Sequence, residues 1–444
     1  MTKHYSNIVV GFGKGGKTLA KFLASQHEEV LVIEQSNQMY GGTCINVGCL
    51  PSKNLILNGQ KGLPFTEATE RRAEMTAQLR NKNYHMLADE PTVTVLDGQA
   101  AFTGDHTLQV ALTTGGSEEV TGERIFINTG ATPILPTIPG LKLGKRVVTS
   151  TEAMSQPDRP QRLAILGGGH IGLEFAEMFN SYGSEVTVFD HHDQLLGRTE
   201  PEVAKLVAQD LADDGIHVAL NSELVKVAES ADQVHITYRQ KGNERVADFD
   251  LLLVATGRQP NTASLGLENT GIKLTSRGAV QVDDHLRTTV PNVWALGDVN
   301  GGPQFTYISL DDFRIVKDQL FGDGKRSTSD RLVVPHSTFL TPPLASVGFT
   351  EQEAQEQGKE PLVFKLMAQA IPKARVMEDQ RGMFKAIVDP QNHEILGATI
   401  YADEAHELIN LFALAMKGHL KYELLRDMIY THPTMAEALN DLFK

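Results

Sequence analysis

Residues 7–34 read NIVVGFGKGGKTLAKFLASQHEEVLVIE: an apolar strand, glycines at 11, 13 and 16, an amphipathic helix, and a second apolar strand ending on Glu34. Residues 163–190, LAILGGGHIGLEFAEMFNSYGSEVTVFD, repeat the plan with Gly167, Gly169 and Gly172, and end on Asp190. In each copy the first glycine permits a tight turn, the second lets the backbone approach a pyrophosphate, and the third lets helix pack close on strand. The pyrophosphate then rests on the helix N-terminus, where unpaired N–H groups favour anions. The acid closing the second strand stands where a ribose hydroxyl is bound. Two such units imply two dinucleotide sites. At the second, the Asp190 carboxylate repels a 2′-phosphate and favours NADH. His191, His192 and Arg198 follow it and leave NADPH as the alternative; the histidine pair reads as a solvated loop and not as a metal site.

The chain has 444 residues, enough for about three domains of ordinary size. Its net charge of −14 argues against a nucleic-acid partner, which would need clustered Lys and Arg. No apolar run approaches the ~18 residues of a membrane helix. The opening MTKHYSNIVVGFG reads as a strand entering a glycine turn and not as a secretory signal, so the expected compartment is the cytoplasm.

Between the two units lie a polar helical stretch near 66–88 and short strands over about 92–128. FINTGATPILPTIPG, with Gly130 and prolines at 133, 136 and 139, suits a crossing between domains. Strands follow near 217–240, and DLLLVATGRQPN and NVWALGDVNGG read as a return to the first domain. From 331 the pattern becomes strands and then helices. The expected fold class is therefore α/β: two Rossmann-like, doubly wound dinucleotide-binding domains and a C-terminal α+β domain. The boundaries fall at 1–150, 151–255, 256–330 (the return) and 331–444.

The only cysteines are Cys44 and Cys49, in GGTCINVGCLPSK. A structural bridge over so short a loop would add little, and two thiols alone are too few for structural zinc. Redox chemistry suits them better. Gly41 and Gly42 free the approach, and Pro51 marks entry to a helix whose dipole stabilises thiolates. Such chemistry needs a base to form the attacking thiolate and an acid for the leaving group. A carboxylate-oriented histidine does both, and YTHPTMAEALNDLF offers His432 and Glu437.

Together these motifs resemble the class I pyridine nucleotide–disulfide oxidoreductases (lipoamide dehydrogenase, glutathione reductase, mercuric reductase) over essentially the whole chain. The resemblance implies FAD in the first domain, with NADH, or NADPH in its place, as cosubstrate in the second. Electrons would run from nicotinamide through flavin to a Cys44–Cys49 disulfide, with Cys49 on the flavin side and Cys44 meeting substrate. It puts Gly42, Thr43, Thr129, Gly130, Gly257, Arg258, Gly297 and Asp298 at the FAD, with Asp298 on the ribityl chain. Lys53 and Glu174 fall near the flavin, where an ion pair would tune its potential. A homodimer is implied, built on the C-terminal domain, in which His432 and Glu437 face the other subunit's cysteines.

Within the family the likeness runs furthest toward the RclA-type reactive-chlorine-resistance flavoproteins, associated with cupric ion reduction. MYGGTCINVGC, GGPQFTYISLDDFRIV, FLTPPLASVG, IPKARVMED and YTHPTMAEALNDLF carry it. Tyr430 stands where better-known members have a first histidine, and Leu344 replaces a glutamate, so lipoamide and glutathione are disfavoured as substrates. The chain ends NDLFK without the extra thiol pair that serves large protein disulfides. Soft thiolates suit Cu(I), the product of Cu(II) reduction, while Met and His are scattered with no copper cage. Copper is thus expected as a transient substrate with no resident metal. Two other readings stand beside this one: a reductase of another small disulfide, and a non-enzymatic redox sensor that would have no use for His432 and Glu437.

Overall fold

A computed structural model describes residues 2–444. The chain divides into two compact units. One takes in the chain up to Leu55, Thr66–Leu135 and Gly257–Asp330; the other takes in Ile56–Phe65, Pro136–Thr256 and Arg331–Lys444.

The first unit is built on Lys3–Val10. This strand pairs in parallel with Val30–Glu34 on one side and Ser117–Ile127 on the other. Val93–Gly104 extends the sheet beyond Val30–Glu34, and Val293–Ala295 extends it beyond Ser117–Ile127, both in parallel. Parallel strands are covered on both faces, which is why they read as continuous apolar runs. Alternate side chains divide between two cores. Val9, Val32, Phe126 and Trp294 pack against Leu19 and Leu23 of the helix Lys14–Ser25. Ile8, Val10, Ile33 and Ile127 face Leu108 and Val110 of the antiparallel strand Thr107–Leu112. The polar stretch forms the helix Phe65–Ala88.

The second unit holds a five-stranded parallel sheet in the order His217–Ala219, Glu185–Phe189, Arg162–Leu166, Leu251–Val254, Val147–Val148. This corrects one expectation. DLLLVATGRQPN is not wholly a return segment, because Leu251–Val254 completes the second sheet beside Arg162–Leu166. All four of its side chains are buried, as a central parallel strand requires. The return starts at Gly257, and Arg258–Pro260 then pairs with Ala131–Pro133 in the first unit.

The C-terminal part is an antiparallel sheet in the order His336–Thr338, Leu344–Gly348, Ile395–Tyr401, Met383–Val388, Leu362–Met367. Its core gathers Phe384, Ile400, Phe412 and Phe443. Within this unit Lys385, 2% exposed, puts Nζ 2.8 Å from Glu200, 2.9 Å from Glu202 and 2.7 Å from Glu351. The lysine itself fills the cation position among these three carboxylates. No helix among the described residues is long and apolar enough to cross a membrane.

Candidate active site

In the first glycine turn Gly11 adopts φ +102°, and its N–H donates to the Ile33 carbonyl at 2.8 Å. A Cβ on Gly11 would lie 2.4 Å from the Asn128 carbonyl oxygen, and one on Gly13 would lie 2.6 Å from Asn128 Oδ1. One on Gly16 would meet the Gly11 carbonyl at 2.8 Å. Asn128, which sequence reasoning passed over, ties this region together. Its Oδ1 accepts the Gly16 N–H at 2.9 Å, and its Nδ2 donates to the Leu296 carbonyl at 2.7 Å. Ser309 and Asp312, on the helix Thr306–Phe321, were missed as well. Ser309 Oγ accepts the Gly15 N–H at 3.0 Å, and Asp312 accepts the Gly297 N–H at 2.6 Å. The only signal was position, within FINTG for Asn128 and within QFTYISLDD for the other two.

The remaining residues assigned to the first site gather in the same unit. Glu34 accepts the Phe12 N–H at 3.0 Å and the Ser36 N–H at 3.2 Å; burial raises its pKa. Gly42, at φ +80°, lies against Gly13, whose Cα a Cβ there would approach to 2.7 Å. Thr43 opens the helix Thr43–Asn46. Thr129 Oγ1 donates to the Asn261 carbonyl at 2.8 Å, and Gly130, at φ +71°, has open space where a Cβ would point. Gly257 and Gly297 also have positive φ. Burial holds the Arg258 pKa down and pushes that of Asp298 up, while their opposite charges attract. Glycines at positive φ with no room for a side chain, a helix N-terminus open to an anion, and a half-buried Asp–Arg couple fit a flavin dinucleotide.

Cys44 and Cys49 are free thiols, half-buried and exposed respectively. Cys49 is the first residue of the helix Cys49–Gln60, and its Sγ lies 3.8 Å from Thr306 Oγ1. The Cys44 thiol is pulled down to about 6. The hydrogen bond from Cys49 is the largest cause. Burial opposes it, and the Thr306 hydroxyl and the Lys17 and Lys53 ammonium groups add to it. Cys49 is pushed up because its sulfur keeps the proton they share. The helix dipole at Cys49 acts the other way. The two shifts run in opposite directions because one sulfur donates its hydrogen bond to the other.

In the second turn, a Cβ on Gly167 would meet the Ala255 carbonyl at 2.5 Å, and one on Gly172 would meet the Gly167 carbonyl at 1.9 Å. Gly169 faces open space. Asp190 is more committed than its place at the strand end suggested. Oδ2 accepts the Gly168 N–H at 2.6 Å; Oδ1 accepts the His192 N–H at 2.9 Å and lies 2.7 Å from His192 Nδ1. Burial works against its charge, but these donors outweigh it and hold Asp190 below the usual carboxylate range. Glu174, on the helix His170–Ser181, is buried and accepts the Phe339 N–H at 3.0 Å.

His432 Nδ1 lies 2.7 Å from Glu437 Oε2, and the imidazole is 71% exposed while the carboxylate is 15% exposed. A carboxylate can only accept, so the proton sits on Nδ1 and Nε2 remains available for acid–base exchange. Tyr430, in place of a further histidine, donates its hydroxyl to the Leu425 carbonyl at 2.8 Å.

Residues 5–312 match the family described as pyridine nucleotide-disulphide oxidoreductase, and residues 334–443 match its dimerisation domain. RclA of Escherichia coli (strain K12), named as a probable pyridine nucleotide-disulfide oxidoreductase, is 49% identical over 441 residues, which is 99% of this chain and 98% of that protein. A mercuric reductase of Staphylococcus aureus is 33% identical over 98% of this chain and 81% of its own length. Among solved structures, the Cu(II) complex of the HOCl-induced flavoprotein disulfide reductase RclA from Escherichia coli superposes with a TM-score of 0.95 at 48% identity, covering 100% of this chain and 99% of that one.

Proposed function

The chain belongs to the pyridine nucleotide–disulfide oxidoreductases, FAD- and NAD(P)H-dependent enzymes, and from that premise we propose that its Cys44–Cys49 pair delivers electrons to Cu(II), giving Cu(I), in defence against reactive chlorine. FAD, when bound, would supply a hydride acceptor for NAD(P)H and an electron-pair donor for the disulfide.

The observation that carries this reading is the thiol pair itself. The chain's only two cysteines hydrogen-bond to one another in a setting that holds Cys44 near 6, so a thiolate is ready at neutral pH. Thiolate sulfur is soft and suits Cu(I). The reduced pair gives one electron to each of two Cu(II) ions, the S–S bond re-forms, and the thiol proton leaves. His432, with Nδ1 committed to Glu437, takes that proton on Nε2. In the dimer it serves the Cys pair of the other subunit. Lys53 and Glu174 tune the flavin, and Lys53 also attracts charge onto both sulfurs. Gly11, Gly13, Gly16, Glu34, Thr43, Gly130, Arg258 and Asp298 hold FAD, and Gly167, Gly169, Gly172 and Asp190 hold NADH. The setting is cytoplasmic, where nicotinamide is plentiful. The similarity to a flavoprotein solved with Cu(II) supports copper over lipoamide or glutathione.

The test is a panel of Cu(II), Hg(II), lipoamide, oxidised glutathione and oxygen, each with NADH and with NADPH, with Cu(I) trapped by a chromogenic chelator. Two Cu(I) per NADH is the expected result. Inert Cu(II) alongside rapid turnover of a small disulfide would replace copper with that disulfide.

A further inference from the structure

Asp190, His191 and His192 follow the strand Glu185–Phe189. In sequence the two histidines read as a solvated loop, but the structure turns both rings toward one carboxylate oxygen. His192 Nδ1 lies 2.7 Å from Asp190 Oδ1, and His191 Nδ1 lies 3.8 Å from the same atom. The imidazoles stand side by side, with ring centroids 3.8 Å apart. The three ligand atoms fall within 4.8 Å of one another. Neighbouring ligands on a metal with bonds of about 2 Å stand roughly 3 Å apart, so small side-chain rotations close this set on an ion. The imidazoles have room for them, being 73% and 61% exposed, while the Asp190 side chain is 11% exposed. The backbone keeps the set in place. The Asp190 carbonyl accepts the Ser222 N–H and the His192 carbonyl accepts the Asn221 N–H, both at 2.9 Å. Asp190 Oδ2 stays on the Gly168 N–H, and Oδ1 is the oxygen that faces the rings.

The dinucleotide fold does not demand these histidines. In the first unit Glu34 accepts the Phe12 and Ser36 N–H groups, just as Asp190 accepts those of Gly168 and His192. There, Gln35 and Ser36 stand in the places of His191 and His192. Among the described residues one other trio of side chains could hold a metal, Glu200, Glu202 and Glu351, and Lys385 already fills it. Two imidazole nitrogens and a carboxylate oxygen suit a late divalent metal, and Cu(II) binds such sets more tightly than the other first-row ions. Burial works against the Asp190 charge, but the donors from His192 and Gly168 outweigh it and keep the carboxylate ionised.

We propose that Asp190 Oδ1, His191 Nδ1 and His192 Nδ1 form a Cu(II) site beside the second glycine turn, and that Cu(II) and NADH exclude one another there. The ion takes the place of the hydrogen between His192 Nδ1 and Oδ1, and the ring carries its proton on Nε2 instead. In the proposed function this carboxylate is the acceptor for the ribose hydroxyls. A metal on Oδ1 withdraws that acceptor and adds bulk and positive charge. Linkage is reciprocal, so bound dinucleotide weakens the metal by the same factor. Excess copper thereby slows the supply of hydride. The ion is bound and released, and no electron passes at this site. The inference rests on the reading of Asp190 as the ribose acid and makes no use of copper as electron acceptor.

The test uses full-length, FAD-loaded protein carrying Cys44→Ser and Cys49→Ser, so that no thiol binds or reduces the metal. This parent is compared with the same protein bearing His191→Ala, His192→Ala or Asp190→Asn. Cu(II) alone is added, and its stoichiometry and electron paramagnetic resonance spectrum are read. NAD+ affinity is then measured by calorimetry with and without Cu(II). The parent should bind a Cu(II) whose spectrum shows nitrogen splitting from two imidazoles, and each histidine variant should lack it. Saturating Cu(II) should weaken NAD+ roughly tenfold or more in the parent and less than about twofold in the histidine variants. Equal Cu(II) stoichiometry in the parent and both histidine variants, or a parent whose NAD+ affinity ignores Cu(II), would overturn the inference. Asp190→Asn protein with an unchanged NAD+ affinity in the absence of copper would instead overturn the ribose reading beneath it.

Discussion

Cys44→Ser is expected to lower NADH-driven reduction of Cu(II) by about three orders of magnitude, the scale seen when an enzyme loses the group that meets its substrate. A serine hydroxyl neither ionises near neutrality nor forms a disulfide, so the path from flavin to acceptor is cut at its last atom. The fold should be spared. Cys44 is only half-buried, the exchange is close to isosteric, and the glycine turn that Asn128 ties together does not depend on the sulfur. FAD content and thermal midpoint should therefore match wild type, and steady-state NADH consumption under anaerobic conditions checks the loss. Turnover surviving in Cys44→Ser would mean that electrons leave the flavin directly.

His432→Ala should lower turnover about a hundredfold at neutral pH, the usual contribution of a positioned acid–base group. The loss should be smaller in alkaline buffer, where hydroxide takes over as proton acceptor. The 2.7 Å contact with Glu437 gives the reason for a specific effect, since it fixes the tautomer and leaves Nε2 as the exchanging nitrogen. If His432 acts on the other subunit's sulfurs, mixing Cys44→Ser and His432→Ala protomers restores one intact site in each heterodimer. Random exchange should then recover roughly a quarter of wild-type activity from two nearly inactive parents. Subunit exchange without recovery would place His432 on its own chain's pair or off the path altogether.

The glycine turns were legible because their demands are local. Gly11 and Gly167 sit at φ values that L side chains rarely adopt, and a Cβ on Gly16 or Gly172 would strike its own turn. Two βαβ units, the helix near 66–88 and the α+β C-terminal part follow from periodicity alone. Leu251–Val254 was less legible, because four apolar residues announce a buried strand without saying which sheet takes it. The same limit applies to Asn128, Ser309 and Asp312. Each is an ordinary polar residue in sequence and gains its partners only when segments distant in the chain meet. Asp190 shows the converse. Its place at a strand end was right, but the commitment of its oxygens to Gly168 and His192 depends on how the loop folds back.

The family membership rests on the whole chain, and the electron route rests on two sulfurs. The most direct measurement is anaerobic addition of one equivalent of NADH to oxidised, FAD-loaded protein, followed by quenching with an alkylating reagent and peptide mapping. The account predicts that both Cys44 and Cys49 become labelled, having been protected as a disulfide before NADH was added. Flavin bleaching with Cys44 and Cys49 still unlabelled, or full labelling before any NADH, would contradict it.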